Sequence, residues 1–223
     1  MRLADLVAPG VSRAASLLLA DEGRFLLGAR PPVHDRGRII IRLTGIGGWA
    51  EGDESFVETI RREALEETGS DVRLFTFART VVIHSPEDID EVPLLDRPTP
   101  VALVFRRYGT GPFDPWSETY QRISPVAVFA GTLTRLPRLA KPDEHPFFLW
   151  LHPEQMIAVS DADVPLDYLL NDGAELFGDF EGDASRALVQ LTDSIQALLT
   201  ALGPRSFSLL SDIARLTQTA SIE

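Results

Sequence analysis

The chain has 223 residues, a formal net charge of −12 and no cysteine. The lack of cysteine excludes disulfides, thiolate metal ligands and cysteine nucleophiles, and the negative charge argues against a nucleic-acid partner because such binding needs basic surfaces. No apolar run approaches the length of about 20 residues that a membrane helix needs, and no segment has the pattern of a signal peptide. These features predict a cytoplasmic globular protein with one sizeable core and no membrane contact.

Before residue 50 the chain is predicted to form strands and turns, because apolar and β-branched runs alternate with Gly, Pro and Asp. In chain order the prediction is two strands in residues 11–30, a loop at 31–37, a strand at 38–44 and a flexible glycine-rich turn at 45–48. The first two strands are expected to meet at the turn signal Asp21-Glu22-Gly23.

A helix is predicted over residues 55–68, with clear signals at both ends. Ser55 and Glu58 have the spacing of a capping box, and Gly69 suits the position just past the last turn. The residues with the 3, 4 spacing of a buried stripe are Val57, Ile60 and Ala64.

Three glutamates, Glu63, Glu66 and Glu67, crowd the last turns of this helix. Each carboxylate near a helix C-terminus costs about 0.3–1 kcal/mol, and neighbours three or four residues apart also repel. A solvated acidic face is one explanation of such a cluster. The other is a hard divalent cation, which reverses the sign of the interaction and for which carboxylates suit magnesium or manganese.

The rest of the chain is predicted to add strands and then helices. The expected strands cover residues 71–84, 99–108 and 124–136, and residues 145–156 are expected to form a strand that enters a short helix. Residues 85–98 and 109–122 are expected to be loops rich in Pro, Gly and acidic residues. Beyond about residue 160, apolar spacing predicts two amphipathic helices, at 188–202 and 207–216.

Residues 48–70 resemble the Nudix box, G-x5-E-x7-R-E-U-x-E-E-x-G-U, in which U is apolar. Ala64 is small for an apolar position, and Ser70 is polar where the family prefers a hydrophobe. The polar and glycine positions that match are Gly48, Glu54, Arg62, Glu63, Glu66, Glu67 and Gly69. The resemblance implies an α+β fold, a Nudix-type α/β/α sandwich with a mixed sheet. We expect residues 1–160 to form this domain and residues 161–223 a helical C-terminal extension of it.

The resemblance also implies a function, which is the metal-dependent hydrolysis of a nucleoside diphosphate linked to another moiety. Arg62 would orient the glutamates, and Glu54 would support the cluster. The groups that would hold Mg²⁺ (or Mn²⁺) are the carbonyl of Gly48 and the carboxylates of Glu63, Glu66 and Glu67. The alternative is a nucleotide-sensing or regulatory module of the same fold without significant turnover.

In this family a glutamate outside the box often deprotonates the attacking water. Glu144, in a loop just before a strand, is the candidate here, with Asp143 and Glu91 as rivals. The ordinary explanation of Glu144 is an exposed loop acid.

Two residues are candidates for substrate contact. Pro86 lies sixteen residues after Ser70, where relatives that act on ADP-ribose often have a proline, although in a chain with 16 prolines coincidence also explains it. Trp49 is placed to stack on a base, or is a partly buried structural aromatic. The histidines lack metal-ligand spacing and are expected to be solvated or part of the core: His34, His84, His145 and His152.

The two apolar stripes between residues 183 and 220 need a surface to cover them, because a helix of this length is marginal alone in water. That surface is either the domain's own sheet or the same helix of a second copy. Since many relatives dimerise, we expect a homodimer that uses this tail.

Overall fold

The structure is a computed structural model that describes residues 1–108 and 122–220. Its strands are β1 (Ala14–Asp21), β2 (Arg24–Ala29), β3 (Val33–Asp35), β4 (Arg38–Thr44), β5 (Ile46–Trp49), β6 (Val72–Leu74), β7 (Thr80–Ser85), β8 (Asp88–Val92), β9 (Ala102–Tyr108), β10 (Arg122–Leu133), β11 (Phe147–Leu151), β12 (Val164–Pro165), β13 (Glu175–Gly178) and β14 (Ala187–Leu191). Its α-helices are α1 (Phe56–Thr68), α2 (Pro153–Asp161), α3 (Leu166–Asn171), α4 (Asp193–Leu202) and α5 (Arg205–Ala220).

The strands form one mixed sheet around β1. The main path runs β12-β14-β4-β2-β1-β10-β9-β7-β8, with β1 parallel to β10 and antiparallel to β2. The middle of β1 is buried on both faces, and its successive residues Leu17 and Leu18 belong to different apolar clusters. Because side chains alternate along a strand, these two clusters are the cores on the two faces of the sheet.

Helices cover both faces, as the predicted α+β sandwich requires. The buried apolar residues of α1 pack in one cluster, together with Leu17. Those of α2, α4 and α5 pack in the other, together with Leu18. Within the described ranges, each helix is too short or too polar to span a bilayer.

The local signals of α1 are confirmed. The Ser55 side chain accepts from the backbone N–H of Glu58 at 3.2 Å, and the Glu58 carboxylate accepts from the Ser55 N–H at 2.7 Å. Gly69 adopts the left-handed conformation at φ 67° and ends the helix. Ile60 and Ala64 are fully buried, whereas Val57 is only half-buried.

Residues 45–48 were predicted as a flexible turn, but most of this segment is strand β5. It pairs with the central strand through Gly47 opposite Ser16 and Gly48 opposite Ala15. A Cβ on Gly47 would lie 2.2 Å from the Ala15 carbonyl oxygen, and its φ is +147°. Glycine therefore allows the close backbone approach that makes this segment a strand.

Several other boundaries differ from the sequence prediction because strand pairing is not local. The segment 71–84 holds two strands, β6 and β7, which pair with β10 and β9 respectively. The predicted loops at 31–37 and 85–98 contain the short strands β3 and β8. The predicted loop at 109–122 lies, except for residue 122, outside the described residues.

The helix predicted over 188–202 begins only at Asp193, because residues 187–191 form β14. In β14 the buried residues alternate as Ala187, Val189 and Leu191, and the strand runs parallel to β4. Leu188 and Leu191 also satisfy a helical spacing, so the sequence pattern was ambiguous over this short run. The C-terminal segment thus adds strands to the sheet as well as helices.

The tail folds onto its own domain, and the prediction that a second copy covers its apolar stripes is wrong for these helices. Leu198 in α4 and Leu210 and Ile213 in α5 are fully buried in the same cluster as the sheet. Phe207 and Leu216, which were expected in the second stripe, are 45% and 41% exposed.

This packing predicts how α5 contributes to stability. Leu210→Ala should lower the free energy of unfolding by about 2–5 kcal/mol, because it removes buried methyl groups and leaves a cavity. Leu216→Ala, in the same helix but exposed, should cost less than about 1 kcal/mol. Urea unfolding of both variants measures the difference, and equal losses would contradict the packing of α5 described above.

Candidate active site

Arg62, in the middle of α1, is the centre of a charged network on this helix. Its Nε donates to Glu54 Oε1 at 2.9 Å, its Nη1 to Glu63 Oε1 at 2.9 Å and its Nη2 to the Trp49 carbonyl at 2.8 Å. The planar guanidinium fork thereby ties the loop before α1 to the body of the helix. The bond from Arg62 lowers the pKa of Glu54 to about 2, so this carboxylate remains charged at neutral pH.

Glu63 lies against the backbone of β5. It is 8% exposed, and a Cβ on Gly48 would lie 2.3 Å from its Oε1. The glycine that opens the box is therefore required for space next to this carboxylate. Burial raises the pKa of Glu63, and the bond from Arg62 opposes that rise.

Glu67 is the most buried carboxylate of the cluster, at 1% exposure. Its Oε2 accepts from the backbone N–H of Gly47 at 3.2 Å. Its Oε1 lies 3.3 Å from Nε2 of His145, whose ring is also buried. The Gly47 N–H thus holds one oxygen of this carboxylate, and the other oxygen faces the imidazole of His145.

Glu66 has a partner that the sequence analysis missed. The only lysine of the chain, Lys141, donates from Nζ to Glu66 Oε2 at 2.6 Å. This bond lowers the pKa of Glu66. The two residues are 75 positions apart, and no local signal joins them.

The loop before β11 brings a further carboxylate to the box. Glu144, Glu67 and His145 each offer one ligand atom, and these three atoms lie within 4.8 Å of one another. Glu144 is exposed, and its carboxylate also lies 3.7 Å from Arg30. The structure thus places Glu144 beside Glu67 of α1.

The other acidic candidates do not converge on this point. Glu91 lies on the edge strand β8 and pairs with Arg79 at 3.7 Å and Arg205 at 3.4 Å. Asp143 is exposed and is not among the groups that converge with Glu67.

The two candidates for substrate contact lie in different places. Trp49 is 43% exposed at the end of β5. Pro86 lies in the turn between β7 and β8, and four strand spacings separate β7 from β5, which is about 19 Å along the sheet. The structure therefore does not bring Pro86 next to the box.

A small cavity of about 130 Å³ adjoins the box on the side of the C-terminal segment. Its lining includes Arg30, Gly48, Trp49, Arg106, Asp193 and Ser194. The buried Arg106 forms an ion pair with Asp193, the first residue of α4. Asp193 has a positive φ of 75°, a conformation that a non-glycine residue adopts at some cost.

Ser194 is the second residue of α4 and is 1% exposed. Within the described ranges its hydroxyl has no hydrogen-bond partner. Buried hydroxyls are normally bonded, and this one lines the cavity, where a water or a bound molecule can reach it. Sequence reasoning missed Ser194 because it assigned the whole segment to a packing helix.

The donor set at the end of α1 fits a divalent cation. Carboxylate oxygens from Glu63, Glu66 and Glu67 are the ligands that Mg²⁺ and Mn²⁺ accept, and the backbone of Gly48 lies beside one of them. Burial of two of these carboxylates close together is unfavourable without positive charge. The site thus fits a divalent cation in two respects: it offers oxygen ligands, and its negative charges need a positive partner.

The family model described as NUDIX domain matches residues 10–170, which is more than two thirds of the chain. The chain therefore belongs to this family. It is a Nudix hydrolase, an enzyme that acts on phosphoanhydride bonds. Enzymes of this family generally use a divalent metal.

Several solved structures are similar to the chain at low sequence identity. A NUDIX family hydrolase from Clostridium perfringens is 16% identical, with 88% of this chain and 96% of that chain covered and a TM-score of 0.45. The MutT protein from Methanosarcina mazei Go1 is 18% identical, with 68% and 84% covered and a TM-score of 0.41. A MutT NUDIX hydrolase from Burkholderia pseudomallei is 16% identical, with 63% and 82% covered and a TM-score of 0.38. No curated protein matches the sequence.

The contacts of Arg62 predict a pKa change that is independent of turnover. In Arg62→Gln, the pKa of Glu54 should rise from about 2 towards the ordinary value of a glutamate, because the cation that favours the charged form is lost. Carboxyl ¹³C NMR titration measures this value. Arg61→Gln is the matched control, since Arg61 instead lies 3.7 Å from Asp71. An unchanged pKa of Glu54 in Arg62→Gln would exclude Arg62 as the cause.

Proposed function

We propose that this Nudix hydrolase is a Mg²⁺- or Mn²⁺-dependent pyrophosphohydrolase that cleaves a nucleoside diphosphate linked to another moiety, such as ADP-ribose or a nucleotide sugar. The observation that carries the proposal is the group of buried carboxylates on α1, of which Glu63 and Glu67 are 8% and 1% exposed. A stable surface helix has no need of such a group, whereas a metal-dependent phosphate site does.

When bound, a divalent metal neutralises charge on phosphate oxygens and lowers the pKa of a water molecule. The proposed metal groups are the carboxylates of Glu63, Glu66 and Glu67 with the Gly48 carbonyl. Arg62 holds Glu63 and Glu54 in fixed positions through its bonds of 2.9 Å to each. Because these positions are set before the substrate arrives, little reorganisation is needed during the reaction.

Glu144 is proposed as the general base that takes a proton from the attacking water at its carboxylate oxygen. Its side chain is exposed, so a water molecule can reach it. One of its carboxylate oxygens lies within 4.8 Å of a ligand atom of Glu67 and of one of His145. The guanidinium of Arg30 lies 3.7 Å from the Glu144 carboxylate and is positioned to orient it.

The cavity beside Gly48 is proposed to bind a polar group of the substrate that does not react. Its volume of about 130 Å³ is well below the roughly 300–1,000 Å³ of complete ligand sites, so it holds only part of a substrate. Trp49 at its rim is proposed to contact the base. Substrate contact by Pro86 stays a prediction, because only a substrate that extends far along the sheet would reach the turn between β7 and β8.

The sensing module without turnover finds no support in the site. Arg62, Glu63, Glu66 and Glu67 are all present and interact, and a module that only binds nucleotide does not need them.

The homodimer, the cytoplasmic location and the domain boundary at residue 160 stay predictions. If a dimer forms, the apolar faces of α4 and α5 are not its interface, because the chain's own sheet covers them.

The test of the proposed function is a panel of nucleoside diphosphate derivatives and nucleoside triphosphates with Mg²⁺ or Mn²⁺, scored for phosphate released after phosphatase treatment. We expect the nucleoside diphosphate derivatives to be cleaved fastest and no turnover without metal. Glu67→Gln should lower kcat by more than about 100-fold, since loss even of an outer partner of a metal costs 10–100-fold.

Glu58→Gln is the matched control for Glu67→Gln, because it lies on the same helix and glutamine also completes a capping box. It should retain normal turnover. Near-normal activity of Glu67→Gln would show that the box is not the catalytic centre, and faster cleavage of triphosphates would overturn the substrate class.

A separate prediction concerns the cavity. Ser194→Ala should raise KM by about 2- to 10-fold and leave kcat unchanged, because one hydrogen bond to a non-reacting group is worth about 0.5–1.5 kcal/mol. Thr200→Ala, at an exposed position of the same helix, is the control and should change neither constant. An unchanged KM in Ser194→Ala would remove the cavity from the substrate site.

A further inference from the structure

His145 is a buried histidine with only one of its ring nitrogens hydrogen-bonded. The residue is 1% exposed, and its Nδ1 lies 3.3 Å from the carbonyl oxygen of Ala29. A carbonyl oxygen can only accept, so Nδ1 carries the proton and, in the neutral ring, Nε2 carries a lone pair. In the part of the chain that the structure describes, Nε2 has no hydrogen-bond partner.

The groups that face Nε2 are acceptors too. Glu67 Oε1 lies 3.3 Å away, and a carboxylate oxygen of Glu144 completes a set of three atoms within 4.8 Å. Of the nearby cations, Lys141 donates to Glu66, and Arg30 approaches Glu144 at 3.7 Å. Three acceptors that face one another need a cation between them, either a proton on Nε2 or a metal ion.

The ring is positioned as a metal ligand. Its bond from Nδ1 to a backbone carbonyl is the arrangement by which proteins fix the tautomer of a ligating histidine. With metal–ligand distances of about 2.0–2.2 Å, two adjacent ligand atoms lie roughly 3.0–3.5 Å apart, which matches the 3.3 Å between Nε2 and Glu67 Oε1. A Cβ on Gly28 would lie 2.4 Å from Nδ1, so glycine there makes room for the ring.

We propose that Nε2 of His145 is a ligand of a divalent metal ion that Glu67 and one carboxylate oxygen of Glu144 also bind, with the other oxygen of Glu144 left to accept the proton of the water. We further propose that this nitrogen makes the enzyme select Mn²⁺ or another transition metal over Mg²⁺. The proposal rests on the proposed metal-dependent function and specifies which metal that function uses. Imidazole suits transition metals, whereas carboxylates, carbonyls and water suffice for Mg²⁺. A proton shared by His145 and Glu67 would give an ion pair without such selectivity.

The test measures metal binding to the intact protein, without substrate. Titration of Mn²⁺ followed by electron paramagnetic resonance, with Mg²⁺ as competitor, gives the ratio of the two affinities. In His145→Asn this ratio should fall by about 10-fold or more through weaker Mn²⁺ binding. His34→Asn, at an exposed position of β3, is the control and should leave the ratio unchanged.

A spectroscopic signature identifies the nitrogen directly. Pulsed electron paramagnetic resonance of bound Mn²⁺ should show coupling to ¹⁴N in the wild-type protein and none in His145→Asn. Glu144→Gln serves as a second variant, because this side chain is exposed and its replacement leaves the core intact. It should weaken Mn²⁺ binding while the ¹⁴N coupling of the residual bound metal remains.

The outcomes separate this proposal from the proposed function. Turnover with either metal, without ¹⁴N coupling and with an unchanged affinity ratio in His145→Asn, would overturn the histidine ligand and leave the hydrolase proposal standing. Selective, nitrogen-coupled Mn²⁺ binding without cleavage of any nucleotide derivative would support the ligand and overturn the proposed substrate class. If His145→Asn does not fold, the wild-type ¹⁴N coupling and the Glu144→Gln titration decide the proposal.

Discussion

The burial of two carboxylates beside the glycines of β5 is the constraint on which the rest of the site depends. Removing a carboxylate from water costs several kcal/mol unless hydrogen-bond donors or positive charges compensate. The hydrogen bond from Arg62 offsets the cost of burying Glu63. The hydrogen bond from the backbone N–H of Gly47 offsets part of the cost of burying Glu67. The remaining imbalance lies at the C-terminus of α1, where the helix dipole also disfavours negative charge. The site is therefore arranged to receive a cation. Without the cation this arrangement lowers the stability of the fold, and the large apolar cores on both faces of the sheet offset that loss.

The close packing of β5 against β1 and α1 also explains why positions 47 and 48 are glycines. A side chain at Gly47 would meet the carbonyl of Ala15, and one at Gly48 would meet the carboxylate of Glu63. The backbone of β5 can then lie between the central strand and the charged face of α1. Strand pairing with β1 holds it there, so the position of the box depends on the most buried strand of the sheet.

The C-terminal segment is part of this architecture. β14 extends the sheet beside β4, and α4 and α5 complete the apolar cluster on the face opposite α1. The first residues of α4 then meet Arg106 of β9 and line the cavity next to Gly48. Folding of this segment and formation of the cavity are thus coupled, although the segment is far from the box in the chain.

The sequence by itself determined α1, its caps and the clustering of its glutamates, because helical periodicity and capping depend on residues within a few positions of one another. It also gave the spacing of the box and most strands. Only the tertiary structure decided that residues 45–48 and 187–191 are strands, because their partners are far away in the chain. It likewise placed Glu144, and not Glu91, close to Glu67, and it brought Lys141, His145 and Ser194 to the same region. Contacts across 75 or more residues follow from the order of strands in the sheet, which leaves no periodic signal in the local sequence.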